Sequence, residues 1–213
     1  MDPCFSDPDL LISLIRTLCL FEDIRLGEEQ ARELLQIGRS SFPGLSGDDE
    51  LIVSNVRDTL AFLGSREIRG MKADLALFLR LNALLAREQA LIPGVLRNGS
   101  VFVPSMGEVP PPDPRRVEAE IDRLNSLGSG NCALEAAGCF CRLARMQPFW
   151  DGNKRTALTL CSVMLMRHGA GPLAVPEEEY ALFDELLTSF YTRKDESLPG
   201  FLAMRCRVPR NDS

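Results

Sequence analysis

Apolar residues recur at helical spacing along almost the whole chain, and only one stretch departs from that rhythm. Asp7-Pro8-Asp9 reads as an N-cap with proline in the first turn, followed by Leu10, Leu11, Leu14, Ile15, Leu18 and Phe21 on one side. Leu26 to Ile37 predicts a second helix closed by Gly38, and Ser46-Gly47-Asp48 starts a third through Val53, Val56, Leu60 and Leu63 to Gly64. Ile68 to Glu88 predicts a fourth, with Leu75, Phe78, Leu79, Asn82 and Leu85 on one stripe. The exception follows: Val95-Leu96-Arg97 and Ser100 to Val103 are rich in strand formers and flank Asn98-Gly99, which predicts a hairpin with a two-residue type I′ turn. Pro110-Pro111-Pro112 is a stiff connector to a helix from Asp113-Pro114 through Leu127, broken at Gly128-Ser129-Gly130. Cys132 to Met146 and Asn153 to His168 are the next two helices, and Glu177 to Tyr191 and Leu198 to Arg207 complete the set. The helix from Asn153 is apolar on nearly all sides, so it belongs at the centre of a bundle. The expected fold is all-α, with N-terminal helices over 1–46 packed as one unit with a main body over 47–213 and a single β-hairpin beside it.

Composition narrows the picture. A chain of 213 residues with 45% hydrophobic and 25% charged residues suits one compact soluble unit. The formal charge of −6, with no long Lys/Arg run, argues against a nucleic-acid partner. Seven cysteines lie mostly inside apolar helical patterns without Cys-x-x-Cys spacing, which predicts buried thiols rather than a metal site. No apolar run reaches the length of a membrane span, and the start of the chain lacks a basic leader. The expected setting is the cytoplasm, or secretion by a route the sequence does not display.

The chemistry concentrates in one turn. Successive N–H groups in a turn that opens a helix point the same way, and the helix adds partial positive charge there, which makes Trp150-Asp151-Gly152-Asn153 a candidate anion site. Gly152 removes the Cβ from the approach, Asn153 tolerates unusual φ and can cap the helix, and Lys154 and Arg155 add fixed cations to its first turn. Cations are unfavourable at that end of a helix, so an anionic ligand would relieve a conflict. Asp151 is a lone carboxylate of the kind that holds Mg²⁺ beside phosphates. Together these residues predict a nucleotide with its metal.

Gln147-Pro148-Phe149-Trp150-Asp151-Gly152-Asn153-Lys154-Arg155 resembles the signature of Fic-domain proteins, His-Pro-Phe-x-Asp/Glu-Gly-Asn-Gly/Lys-Arg, at every position but the first. The resemblance implies a Fic-like bundle that binds ATP and Mg²⁺ and an activity of transferring AMP to a Tyr, Ser or Thr hydroxyl of a target protein. It implies Phe149 as a core anchor, Asp151 as the Mg²⁺ ligand, Gly152, Asn153 and Lys154 as the phosphate cradle and Arg155 as a phosphate contact. The family's general base is the histidine that Gln147 replaces here. Such a base contributes a factor of roughly 10²–10⁴, and a glutamine amide cannot accept the proton. His168, the only histidine, lies about 25–30 Å further along the following helix and cannot substitute. The resemblance therefore implies weak or absent adenylyl transfer, a pseudoenzyme.

Two further parts carry the resemblance. The hairpin, opened by Pro93-Gly94-x-x-Arg97, resembles the family's flap, so Val95, Leu96, Arg97, Val101 and Phe102 are expected to dock an extended segment of a target protein through main-chain pairing. Glu22 at the end of the first helix loosely resembles the family's inhibitory glutamate, although Leu18 and Asp23 replace its usual companions and Leu158 stands where a second arginine often is. Two other readings remain: Lys154 and Leu158 make the motif similar to Doc, a relative that transfers a phosphoryl group, and the chain could instead be a non-catalytic module that captures a partner segment.

Overall fold

Helices form where a capping side chain and an apolar stripe coincide. The structure, a computed structural model, describes residues 3–65, 68, 71–128, 130–193 and 195–206. α1 (Pro8–Leu20) starts on the Asp7 carboxylate, which accepts from the amides of Asp9 and Leu10. α2 (Glu28–Ile37) ends on Gly38 at φ 69°, a left-handed cap that glycine adopts without strain. α3 (Gly47–Gly64) opens with a capping box in which the Ser46 hydroxyl accepts from the Asp49 amide and the Asp49 carboxylate accepts from the Ser46 amide. α4 (Leu75–Leu85) is shorter than the expected 68–88 helix, because the Asp74 carboxylate caps the Leu77 amide and starts it there. Positions 66, 67, 69 and 70 lie outside the described residues.

After the hairpin come α5 (Pro114–Asp122), which tightens into a 3₁₀ turn over Arg123–Ser126, then α6 (Cys132–Met146) and α7 (Asn153–Arg167). α8 (Tyr180–Arg193) and α9 (Ser197–Ala203) close the bundle. The expected end of the last helix at Arg207 lies outside the described residues. α7 is the axis, as its all-round apolar pattern predicts: every residue from Arg155 to Met166 is buried, with α6 and α4 packed against it. Side chains of α1 and α2 share the same core as those of α4, α6 and α7. Phe21, at the end of α1, stacks on Phe183 of α8 with ring centroids 5.2 Å apart and on Phe140 of α6 at 6.3 Å. Each such pair adds roughly 0.5–1.5 kcal/mol beyond area burial, so the end of α1 is anchored to the bundle.

The hairpin forms, but not where the Asn-Gly signal put it. β1 (Val101–Val103) pairs antiparallel with β2 (Gly107–Val109), Val101 opposite Val109 and Val103 opposite Gly107, and the turn falls between them. A type I′ turn needs positive φ at both central residues, and neither Asn98 nor Gly99 has it. Tertiary contacts claim this stretch instead. The Arg97 amide donates to the Pro148 carbonyl at 3.0 Å, and the indole of Trp150 lies where a Cβ on Gly99 would be 2.8 Å from it.

Candidate nucleotide site at the start of the central helix

Gln147 ends α6 in the left-handed region, at φ 47° and ψ 58°. That conformation costs a non-glycine residue about 1–3 kcal/mol and persists only when neighbours hold it. They do so here. Arg97 Nε donates to the Gln147 carbonyl, Gln147 Nε2 donates to the Ala144 carbonyl at 2.9 Å, and Gln147 Oε1 accepts from Asn153 Nδ2 at 3.0 Å. Both ends of the amide are committed, and Tyr191 of α8 stands close by with its hydroxyl buried, which pushes that phenol up. Asn153 latches the loop across itself, its Oδ1 accepting from the Phe149 amide at 2.8 Å and its Nδ2 donating to the Phe149 carbonyl at 3.1 Å. Phe149 is fully buried, its ring 4.9 Å from that of Phe78, as expected of a core anchor.

Gly152 caps α7 at φ 73°. A Cβ there would stand 3.2 Å from the Ala86 Cβ and 3.3 Å from Asn82 Nδ2, so the position is fitted to hydrogen alone. The Asp151 carboxylate accepts from the Gly152 amide through Oδ1 at 2.6 Å, and its Oδ2 faces Arg155 Nη2 at 3.8 Å. The Asp151 side chain is 44% exposed. Among the described residues no group of three or more His, Cys, Asp or Glu side chains gathers around a metal position.

The conflict of cations at the start of α7 is resolved within the chain. Lys154 Nζ donates to the Phe21 carbonyl at 3.1 Å and lies 5.2 Å from the centre of the Phe21 ring. Arg155 is wholly buried; its Nη1 donates to the Leu85 carbonyl at 2.8 Å and to Gln89 Oε1 at 2.9 Å. Its Nε pairs with Glu22 Oε1 at 2.9 Å, while its Nη2 has only the Asp151 carboxylate nearby, at 3.8 Å. Burial lifts the Glu22 carboxyl above its ordinary value, with Asp151 adding to the rise and Arg155 and Lys154 opposing it. The end of α1, which carries negative partial charge, thus meets the positive start of α7 with Glu22 between them.

The expected docking residues divide. Phe102 is 75% and Val95 48% exposed, while Leu96 and Val101 are half-buried. Arg97 is a correction: it is 2% exposed, and all three guanidinium nitrogens donate to main-chain carbonyls, of Gln147 through Nε, Gly99 and Val109 through Nη1 and Pro110 through Nη2. It binds the chain's own backbone, and its pKa is held down by burial. Trp150 packs on the hairpin segment at Gly99. Asn82 escaped the sequence reading because it sits at a stripe position; its Nδ2 donates to the Asp151 carbonyl at 3.0 Å and to Thr156 Oγ1 at 3.1 Å. A lone amide in an apolar stripe was the available signal. Gln89 and the Phe21 carbonyl carried none. Among the described residues, no helix is long and apolar enough to cross a membrane.

Residues 72–165, from just before α4 to near the end of α7, match the model of the Fic/DOC family. No curated protein matches the chain. The fold is similar to that of Fic-1 (residues 134–508) from C. elegans, with TM-score 0.71 and 21% identity over 91% of this chain and 59% of that one. It is also similar to a Fic domain containing signaling protein from Bacteroides thetaiotaomicron (TM-score 0.68, 18% identity, 92% of this chain and 82% of that one). A Fic family protein from Desulfovibrio desulfuricans gives TM-score 0.63 and 19% identity over 92% of this chain and 63% of that one. The chain spans about three fifths of the length of the C. elegans and Desulfovibrio structures.

Proposed function

We propose, with a Fic/DOC domain as the premise, that this chain is a nucleotide-binding protein of the protein-adenylyltransferase type whose transfer step is crippled by Gln147 and whose cradle is held closed by the end of α1. The observation that carries this reading is Arg155, a wholly buried guanidinium that pairs with the Glu22 carboxylate at 2.9 Å and faces that of Asp151 at 3.8 Å. A buried cation whose counter-charge comes from a segment outside the motif suits exchange of one anion for another. When α1 moves aside, phosphate oxygens of ATP take the place of the Glu22 carboxylate, and Lys154 leaves the Phe21 carbonyl to meet them. Asp151 would hold Mg²⁺ through its exposed edge, and the ion would neutralise phosphate charge. The Gly152 cap brings main-chain amides up to the ligand. Gln147 orients nothing that can take the proton of an incoming hydroxyl, because its amide is spent on Ala144 and Asn153.

Calorimetric titration with ATP and Mg²⁺ tests binding, using the Glu22→Ala protein as the open form; absence of binding to either protein refutes the reading. ATP labelled at the α-phosphate then tests transfer, and label should enter protein only with Gln147→His. Label from the γ-phosphate instead would favour the Doc-like reaction. The closed cradle favours one further reading, a partner-binding module in which Phe102 and Val95 present an apolar edge and nucleotide plays no part. Failure to bind ATP after Glu22→Ala, with capture of a partner segment retained, selects it.

A further inference from the structure

We infer that Asn82 and Arg97 are positioning residues that join the hairpin segment and the motif loop into one rigid frame, so that the edge offered to a partner strand stands at a set place relative to Gly152 before anything binds. Calling that edge a docking edge rests on the proposed function; the frame does not. A two-stranded hairpin with three residue pairs is marginal by itself, so its placement must come from elsewhere.

Asn82 supplies the first tie. Its carbonyl oxygen accepts from the Gly94 amide at 2.9 Å, where the segment begins, while its NH₂ group reaches the Asp151 carbonyl and the Thr156 hydroxyl. One buried amide therefore touches the segment, the loop and α7. Gly94 itself is pressed onto α4, at φ 74° with the place of a Cβ only 2.7 Å from the Ala83 Cβ. Arg97 supplies the second tie, and the more consequential one. Its guanidinium bridges the Gln147 carbonyl in the loop to the Gly99 carbonyl in the segment and to the Val109 and Pro110 carbonyls at the hairpin's return, while its own amide donates to Pro148. Arg97 thus holds both ends of the hairpin and the left-handed residue of the motif at once. Trp150 adds a third contact by packing against Gly99. A partner strand pairing with this edge would meet it already aligned, and its residue opposite the cradle would be set by register.

Two measurements test the frame without nucleotide, so their failure and the failure of the ATP reading are separable. Hydrogen exchange on the unmodified protein should protect the Gly94 and Arg97 amides to within about tenfold of the core amides of α7. Exchange as fast as that of open loop amides would overturn the inference, whether or not any variant folds. Trp150, the only tryptophan, reports directly on the segment that covers it. In Arg97→Met its quenching by acrylamide should rise about twofold at unchanged helix content, with partial recovery in Arg97→Lys, whose ammonium can still reach carbonyls. A folded Arg97→Met protein with unaltered quenching would show that Arg97 does not set the segment's position.

Discussion

Two buried arginines grip the loop between α6 and α7, and their surroundings differ in kind. Arg97 gives every guanidinium nitrogen to neutral carbonyl oxygens and, among the described residues, pairs with no carboxylate; it acts as a cross-link among four backbone positions. Arg155 has one nitrogen bonded to neutral oxygens and two facing carboxylates, one of them in the turn that follows α1. Removing a donor from saturated carbonyls strands them, whereas a cation paired with a carboxylate can take another anion in its place. The difference teaches that burial alone does not identify a ligand group. The kind of partner it holds does.

Substitutions that strike one arginine and spare the other should separate stability from binding. The largest effect is expected for Arg97→Met, which leaves several buried carbonyls without a donor and should lower unfolding free energy by about 3 kcal/mol in a urea titration. Its folded fraction should still bind ATP within about threefold; a tenfold loss would blur the distinction. Arg155→Met should cost about 2 kcal/mol, because Glu22 is only partly buried and can rehydrate, and should abolish measurable ATP binding in calorimetry. Glu22→Ala, which removes the competing carboxylate, should tighten ATP about tenfold, or ~1.4 kcal/mol. Unchanged affinity there would mean that α1 does not compete for the cradle.

The smallest effect concerns pH. Because burial raises the Glu22 carboxyl in the folded state, its protonated form is favoured on folding, and that contribution is full below the ordinary value of 4.5 and lost as pH rises through the raised one. The stability of the unmodified protein relative to Glu22→Gln should therefore fall over that window and level off above it. A difference that grows with pH would reverse the sign and make the Arg155 pair the dominant influence on Glu22.

Much of the bundle was readable from local chemistry, since the Asp7, Ser46 and Gly38 caps act on amides and carbonyls within a few residues of themselves. The motif loop was readable in part: Phe149 is buried as its residue type requires, but Gly152 rather than Asn153 takes the left-handed cap, and the Asn153 amide is spent on Phe149 and Gln147. The Asn98-Gly99 turn misled because its signal was equally local, while the forces on that segment come from Arg97, Pro148 and Trp150 across the fold.

By itself, then, the sequence determined a helical bundle about the apolar helix from Asn153 and a cation-rich turn lacking a proton acceptor, because periodicity, caps and residue chemistry are properties of neighbours along the chain. Only the tertiary structure decided what meets those cations. The Glu22 carboxylate and the Phe21 carbonyl arrive from more than 130 positions away, and Arg97 turns inward to bind backbone, because contacts between distant segments depend on how whole helices pack.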